Sequence, residues 1–206
     1  MTSRLVLGSA SPRRREMLAT LGVTFEVRAS DSDEQPDGSP PAQLAETLAL
    51  RKTRAVAAVE GSDAAVLGAD TIVVLDGALL GKPLDSHEAA SMLRSLRGRE
   101  HEVVTGVAMV AGERSAVEHV VSRVTMREYS DAEIATYIAG GSPFDKAGAY
   151  AIQDRDFAPV DHLDGCECSV IGLPLWTAAR LLRKVATIEA QRPSYDRCAD
   201  CPQRDE

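Results

Sequence analysis

The sequence predicts an α/β fold, a mixed β-sheet flanked by helices, and three observations lead there. Short apolar runs such as RLVLG (residues 4–8) are followed by stretches with apolar residues at helical spacing between capping residues. Asp76-Gly77 separates two apolar runs, which signals a β-hairpin and so antiparallel pairing. Strands and helices alternate irregularly, which favours a mixed sheet over a regular doubly wound one. With 206 residues, 44% of them hydrophobic, the chain can build the core of one domain or two tightly joined lobes.

Residues 4–8 read as a strand. A helix follows over 12–21, with Ser11 as N-cap, Pro12 at the first helical position, Met17, Leu18 and Leu21 at helical spacing, and Gly22 as the stop. TFEVR (24–28) alternates like a strand, and the acidic, Pro- and Gly-rich stretch after it is a long loop. Residues 41–60 form a second helix and 64–83 a hairpin around Asp76-Gly77. SHEAASMLRSLRG (86–98) reads as a third helix with a Ser cap and a terminal Gly. HEVVTGVAMV and VEHVVSRVTMREY are strands joined by an AGERSA turn, and SDAEIATYIAGG opens with a capping box, Ser130 to Glu133. Short strands near 149–152, 157–163 and 168–172 and a helix from Pro174 to about Ala186 complete a single domain over 1–187. Residues 188–206 are a polar tail, expected to be loose.

A net charge of −8 and a pI near 5.1 argue against a nucleic-acid-coating surface, as do only eight aromatic residues. An anion site would have to be a local focus of positive charge. No stretch approaches the roughly 20 apolar residues that span a membrane, and MTSRLVLG lacks the apolar core of a signal peptide. The expected setting is cytoplasmic, with no nucleic-acid or membrane partner.

The stretch LGSASPRRREML (7–18) places Arg13, Arg14 and Arg15 in the first turn of a helix, where the partial positive charge of the helix end disfavours cations by roughly 0.3–1 kcal/mol each. Small residues admit a ligand close to the backbone, helix-start N–H groups point at it, and guanidinium forks suit phosphate. The motif is not a Walker A loop. Asp70 lies in AAVLGADTIVVL among apolar neighbours, where a carboxylate needs a partner, a metal or a catalytic role. Lys82 in Gly81-Lys82-Pro83 is its natural partner. A two-residue turn at Asp76-Gly77 puts Lys82 on the face opposite Asp70, and a three-residue bulged turn pairs them. The functional reading needs the bulge, or a strand that ends before Lys82.

Leu44, Leu48, Lys52 and Val56 follow at i+4, so Lys52 lies on the inward stripe of its helix, either snorkelling or reaching into a cleft. Glu34 stands among loop acids that are either solvated or hold a divalent ion. Gln153 ends FDKAGAYAIQ, where a glutamine beside a cleft can hydrogen-bond a base edge. Cys166-x-Cys168 and Cys198-x-x-Cys201 are compatible with a tetrahedral structural zinc tying the tail to the domain, in a spacing that is unusual for one. The four histidines form no ligand or triad spacing.

From LGSASPRRREML through LGADTIVVLDGALLGKP, MLRSLRGREHEVVTGVAM and FDKAGAYAIQ to SVIGLPL, the chain resembles the Maf (septum-formation inhibitor-like) family of nucleoside triphosphate pyrophosphatases, over about residues 4–182. Ala69-Asp70-Thr71 and DKAGAYAIQ resemble its dTTP- and UTP-directed branch. The resemblance implies an elongated Maf/ITPase-like structure, two lobes around a deep central cleft, commonly a homodimer. It implies hydrolysis of a pyrimidine nucleoside triphosphate between the α and β phosphates with Mg²⁺ or Mn²⁺. Ser9, Arg13, Arg14 and Lys52 would bind substrate, with Thr71 and Gln153 (and Arg13) linked to base choice. Asp70 would be the base, Lys82 its catalytic companion, and Glu34 with Asp70 would hold the metal. The alternative is a non-catalytic nucleotide-binding regulator of cell division.

Overall fold

The computed structural model describes residues 4–30, 35–195 and 198–204. Its sheet has seven strands: β1 (Arg4–Leu7), β2 (Glu26–Val27), β3 (Ala64–Leu75), β4 (Ala78–Leu80), β5 (Glu100–Ala111), β6 (Arg114–Met126) and β7 (Val160–Asp164). The order is β2-β1-β3-β5-β6-β7, with β4 also on β3. β1 runs parallel to β2 and β3, and every other pairing is antiparallel, so the sheet is mixed as the irregular alternation predicts. The helices are α1 (Pro12–Ala19), α2 (Pro41–Glu60), α3 (Ser86–Leu96), α4 (Asp131–Ala139), α5 (Glu167–Ile171) and α6 (Leu175–Leu181), the last continuing as a π-turn through Ala186. No helix among the described residues is long and apolar enough to cross a membrane.

The three long strands β3, β5 and β6 carry two cores at opposite ends. At one end Leu67, Val107 and Met109 pack with Leu18 of α1 and Leu181 of α6. At the other, Val73, Val103 and Val124 pack with Leu93 of α3 and Ile134 of α4. Residues 70–72 fall between the cores, at the waist of β3. Here β3 also changes partner. β1 pairs only with residues 64–67 and β4 only with 73–75, so one edge of 68–72 is open while β5 holds the other. The result is a notch in the sheet.

Helix α2 covers one face of the central strands, burying Leu44, Leu48, Lys52 and Val56 as their spacing predicts. Two strand glycines allow its approach. A Cβ on Gly106 would stand 2.2 Å from the Ala45 carbonyl oxygen, and one on Gly68 would stand 2.3 Å from Thr53 Oγ1. Gly106 pairs directly with Asp70 across the ladder, so the closest helix contact lies beside the notch.

The hairpin register resolves the Lys82 question. Asp76 (φ 51°) and Gly77 (φ 80°) form a two-residue turn with Leu75 opposite Ala78, the left-handed pair that suits a hairpin. There is no bulge. β4 instead ends at Leu80, Gly81 leaves the ladder and its carbonyl accepts from Gly148 N–H (3.0 Å), and Lys82 is released from strand alternation.

Several local expectations differ. TFEVR forms only the two-residue β2. Asp85, not Ser86, caps α3 by accepting from Glu88 N–H (2.8 Å). The turn between β5 and β6 narrows to Gly112-Glu113. No strand forms near 149–152; a 3₁₀ turn over Ala147–Ala149 precedes an irregular segment, since Gly148 and Ala149 both take positive φ. The run near 168–172 is helical α5, a short apolar segment whose periodicity does not separate strand from helix.

The tail is docked rather than loose. Gln191 N–H bonds the Leu21 carbonyl (2.8 Å), Trp176 Nε1–H bonds the Cys198 carbonyl (2.9 Å), and Cys198 and Cys201 are buried in the first core.

Gly106→Ala should lower stability by about 1–3 kcal/mol, because its Cβ meets helix backbone rather than a movable side chain. Urea unfolding checks this; an unchanged midpoint would mean that α2 shifts freely on the sheet.

Candidate active site

Two adjoining cavities open at the notch, of about 480 and 280 Å³. Both are lined by Ser11, Arg13, Arg14, Lys52, Lys82 and Asp145. The smaller lies over Gly8–Pro12, the turn that carries β1 into α1. The larger runs past Asp70 and Thr71 to Tyr150 and Gln153.

The turn is ordered by its own hydroxyls. Ser11 caps α1 by accepting from Arg14 N–H (3.4 Å), and Pro12 begins the helix where its missing N–H costs nothing. Ser9 is buried, and its Oγ accepts from Ser11 N–H (3.2 Å) and from Arg14 (3.3 Å), which leaves its own proton to donate. Arg14 also donates from Nε to the Gly172 carbonyl (2.8 Å) and from a terminal nitrogen to Thr71 Oγ1 (3.2 Å). Thr71 Oγ1 lies 2.9 Å from Thr105 Oγ1, and Thr105 donates its single proton to the Ser169 carbonyl (2.7 Å). Thr71 therefore donates to Thr105, and the chain from Arg14 to Ser169 has one direction. Arg15 is exposed and takes no part in the lining.

Arg13 spans the cleft to Asp145, with one nitrogen 2.6 Å from Oδ2 and another 3.4 Å from the carbonyl. Burial pushes the Asp145 carboxyl up, but the hydrogen bonds from Lys146 and Arg13 outweigh it and hold the group below its ordinary value. On the α2 side, Lys52 Nζ donates to Asp70 Oδ1 with both side chains only 11% exposed, and the carboxylate has its charged partner. Tyr150 lines the larger cavity and is fixed from behind by His101, whose Nε2 lies 2.7 Å from the phenol oxygen. Burial alone pushes the His101 imidazole down to about 4.

Ser9, Arg13, Arg14, Lys52, Asp70, Thr71, Lys82 and Gln153 thus border one continuous cleft between the two cores. Glu34, expected as a metal ligand, lies outside the described residues.

Comparison with known proteins places the chain in a family. A model for "Maf-like protein" matches residues 4–185. The chain belongs to the Maf family. Among its relatives, a dTTP/UTP pyrophosphatase of Thermomicrobium roseum is 48% identical over 203 residues, covering 96% of this chain and 93% of the relative. Those of Moorella thermoacetica (50%, covering 87% and 94%) and Pelotomaculum thermopropionicum (48%, covering 87% and 95%) bear the same name. A solved Staphylococcus aureus Ham1 protein aligns at TM-score 0.43 and 16% identity over 60% of this chain and 71% of that one, too loosely to carry an argument.

In this Maf chain, sequence reasoning missed Thr105, Asp145 as the Arg13 partner, and the Gly172 carbonyl. Thr105 becomes visible only with the β3–β5 register, which sets it opposite Thr71. The Asp145-Lys146 pair was readable as charged, but nothing local marks a contact 132 residues away.

Removing one member of a buried pair leaves the other charge uncompensated, at a cost of about 3–5 kcal/mol. Lys52→Met should fall near the lower end, and the Lys52→Met/Asp70→Asn double variant should recover part of the loss; a strictly additive cycle in urea unfolding would show the two uncoupled. Acid should also weaken the fold through His101. The unfolded imidazole takes its proton near 6.5 and the folded one resists to about 4, so stability drops as pH falls through that window, by on the order of 3 kcal/mol. His101→Gln should remove that part of the slope, and an unaltered pH profile of thermal unfolding would assign it to other groups.

Proposed function

We propose that the chain is a nucleoside triphosphate pyrophosphatase that hydrolyses dTTP and UTP between the α and β phosphates, releasing pyrophosphate and the monophosphate. The observation that carries this reading is the joining of a small cavity ringed by Arg13, Arg14, Lys52 and Lys82 to a larger one containing Asp70 and ending at Gln153. The relatives' name, dTTP/UTP pyrophosphatase, supports the same substrate class.

The triphosphate would lie over the β1–α1 turn, where the Ser9 hydroxyl and the helix start offer donors and the guanidinium and ammonium groups offset its charge. Phosphoryl transfer needs charge neutralisation and in-line positioning more than covalent help. The base would occupy the larger cavity. The Gln153 amide offers a donor beside an acceptor, which suits the O4 and N3–H edge of uracil or thymine, and Thr71 borders the same space.

Asp70 would orient the attacking water and accept its proton, and the hydrogen bond from Lys52 to Oδ1 would hold the carboxylate in place at the notch. Lys82, freed from the β4 ladder, would neutralise the leaving pyrophosphate.

A divalent ion, Mg²⁺ or Mn²⁺, belongs to this proposal from the family resemblance. Such an ion takes one or two protein carboxylates and completes its shell with phosphate oxygens and water, and Asp70 supplies a cleft carboxylate to which Glu34 would add a second. When bound, it would polarise the attacked phosphate. A homodimer in the cytoplasm belongs to the same proposal, from the family resemblance. The net charge of −8 supports a small nucleotide over nucleic acid as partner.

Pyrophosphate release from dTTP, UTP, CTP, 7-methyl-GTP, ATP and dGTP with either metal should be fastest for dTTP and UTP. Asp70→Asn should lose nearly all turnover while nucleotide binding persists. No turnover of any nucleotide by the folded wild type would overturn the enzymatic reading and favour a nucleotide-binding regulator.

A further inference from the structure

The four cysteines of the chain lie in two pairs 30 residues apart, and all four are free and buried in the first core. Cys166 and Cys168 flank the first residue of α5, and Cys198 and Cys201 sit in the tail turn, where Cys198 N–H bonds the Tyr195 carbonyl (2.8 Å) and the Cys201 carbonyl accepts from Arg204 N–H (2.9 Å). The two pairs interlock. Cys166 touches Cys168 and Cys201, and Cys168 Sγ lies 3.1 Å from Cys198 Sγ. Cys198 and Cys201 lie beyond the stretch matched by the family model, which ends at residue 185.

We propose that Cys166, Cys168, Cys198 and Cys201 form a closed tetrahedral thiolate site for a structural zinc ion, which clamps the C-terminal tail to α5. Three observations carry it. First, a tail of polar composition buries both its cysteines in an apolar core, beside the hydrogen bonds of Gln191 and Trp176 that also dock it. Second, the four sulfurs converge: Cys168 Sγ lies 3.1 Å from Cys198 Sγ and Cys166 touches Cys168 and Cys201, so two side chains beside α5 and two from the tail meet at one buried point. Zn²⁺ would take the place of the four thiol protons: one ion and four thiols give four Zn–S bonds and four released protons. Third, the ligand set selects the metal. Four soft sulfurs with no open position suit structural zinc, not a hard ion such as Mg²⁺.

Binding requires a small opening. No group of three or more ligand-type side chains among the described residues stands ready around an ion. Thiolates on a tetrahedral zinc with ~2.3 Å bonds are about 3.7 Å apart, against 3.1 Å for Cys168 and Cys198 here. The sulfurs must therefore separate by roughly half an ångström, within reach of side-chain rotation.

The clamp would also reach the cleft. Ser169 and Gly172, which follow Cys168, present the carbonyls that anchor Thr105 and Arg14. The ion would thus act as a positioning element, separate from the divalent ion of the reaction.

The test is elemental analysis of the full chain purified without chelator, with cobalt as a spectroscopic substitute. About one zinc per chain, four thiols that react with a disulfide reagent only after the metal is displaced, and intense tetrahedral d–d bands with sulfur-to-cobalt charge transfer would support the site. Metal-free protein with four reactive thiols, two disulfides by intact mass, or a weak octahedral cobalt spectrum would each overturn it. A Cys198→Ser/Cys201→Ser variant should lose the zinc and melt at lower temperature. The wild-type metal content decides even if that variant fails to fold, and it is independent of whether the chain turns over nucleotides.

Discussion

The closeness of α2 to the centre of the sheet is the constraint on which the cleft depends. Gly68 and Gly106 remove the two Cβ atoms that would hold the helix away, at sites where the nearest helix atoms would be 2.3 and 2.2 Å from them. The helix therefore settles with its inward stripe against β3 and β5, and the third member of that stripe is a lysine rather than a leucine. Lys52 then meets Asp70 in the waist of the molecule. A buried cation needs a counter-charge, a buried carboxylate needs a donor, and each removes the other's penalty. Without the glycines the helix would ride outward, and the lysine would have to snorkel past the carboxylate instead of bonding it.

The second constraint is topological. A parallel β1 ends at residue 67 of its neighbour and an antiparallel β4 begins at residue 73, so a stretch of β3 has a partner on one side only. Exposed ladder groups usually invite pairing with another strand. Here the gap is flanked by the β1–α1 turn on one side and the segment leaving β4 on the other, and becomes a cleft. Successive β3 residues point to opposite faces, yet both reach this gap. Asp70 meets α2 on one face and Thr71 meets Arg14 of α1 on the other.

Much of this was legible in the sequence, for local reasons. Ser11 and Pro12 announce a helix start, because capping acts within one turn, and two of the three arginines beside them, Arg13 and Arg14, line the cleft while Arg15 stays exposed. The i+4 stripe through Lys52 was readable for the same reason, and so was the capping box of α4, where Ser130 and Glu133 bond reciprocally. Asp76-Gly77 announced a hairpin, but the sequence alone allowed two turn lengths, and Lys82 reached the cleft by the strand ending early. What stayed hidden was non-local. The Arg13–Asp145 and Thr71–Thr105 contacts join segments far apart in the chain, and the tail looked loose because its polar composition outweighs two cysteines whose partners lie 30 residues upstream.

The Arg13–Asp145 and Lys52–Asp70 pairs of the cleft differ in how dry they are. Arg13 meets a carboxylate that is 58% exposed, and its own side chain is 25% exposed. A pair so open to water is worth at most about 1 kcal/mol. On the proposed reading, a triphosphate would displace Asp145 from it at little cost, and the pair would hold the guanidinium in place until then. Lys52 and Asp70 are far drier, and separating them would strand two charges in the core. Lys52 would therefore keep Asp70 oriented throughout, while Arg13 would change partner. A chain with net charge −8 thus gathers positive charge along this cleft: in one pair open to water, one dry pair, and the Arg14 network anchored in backbone and hydroxyl oxygens.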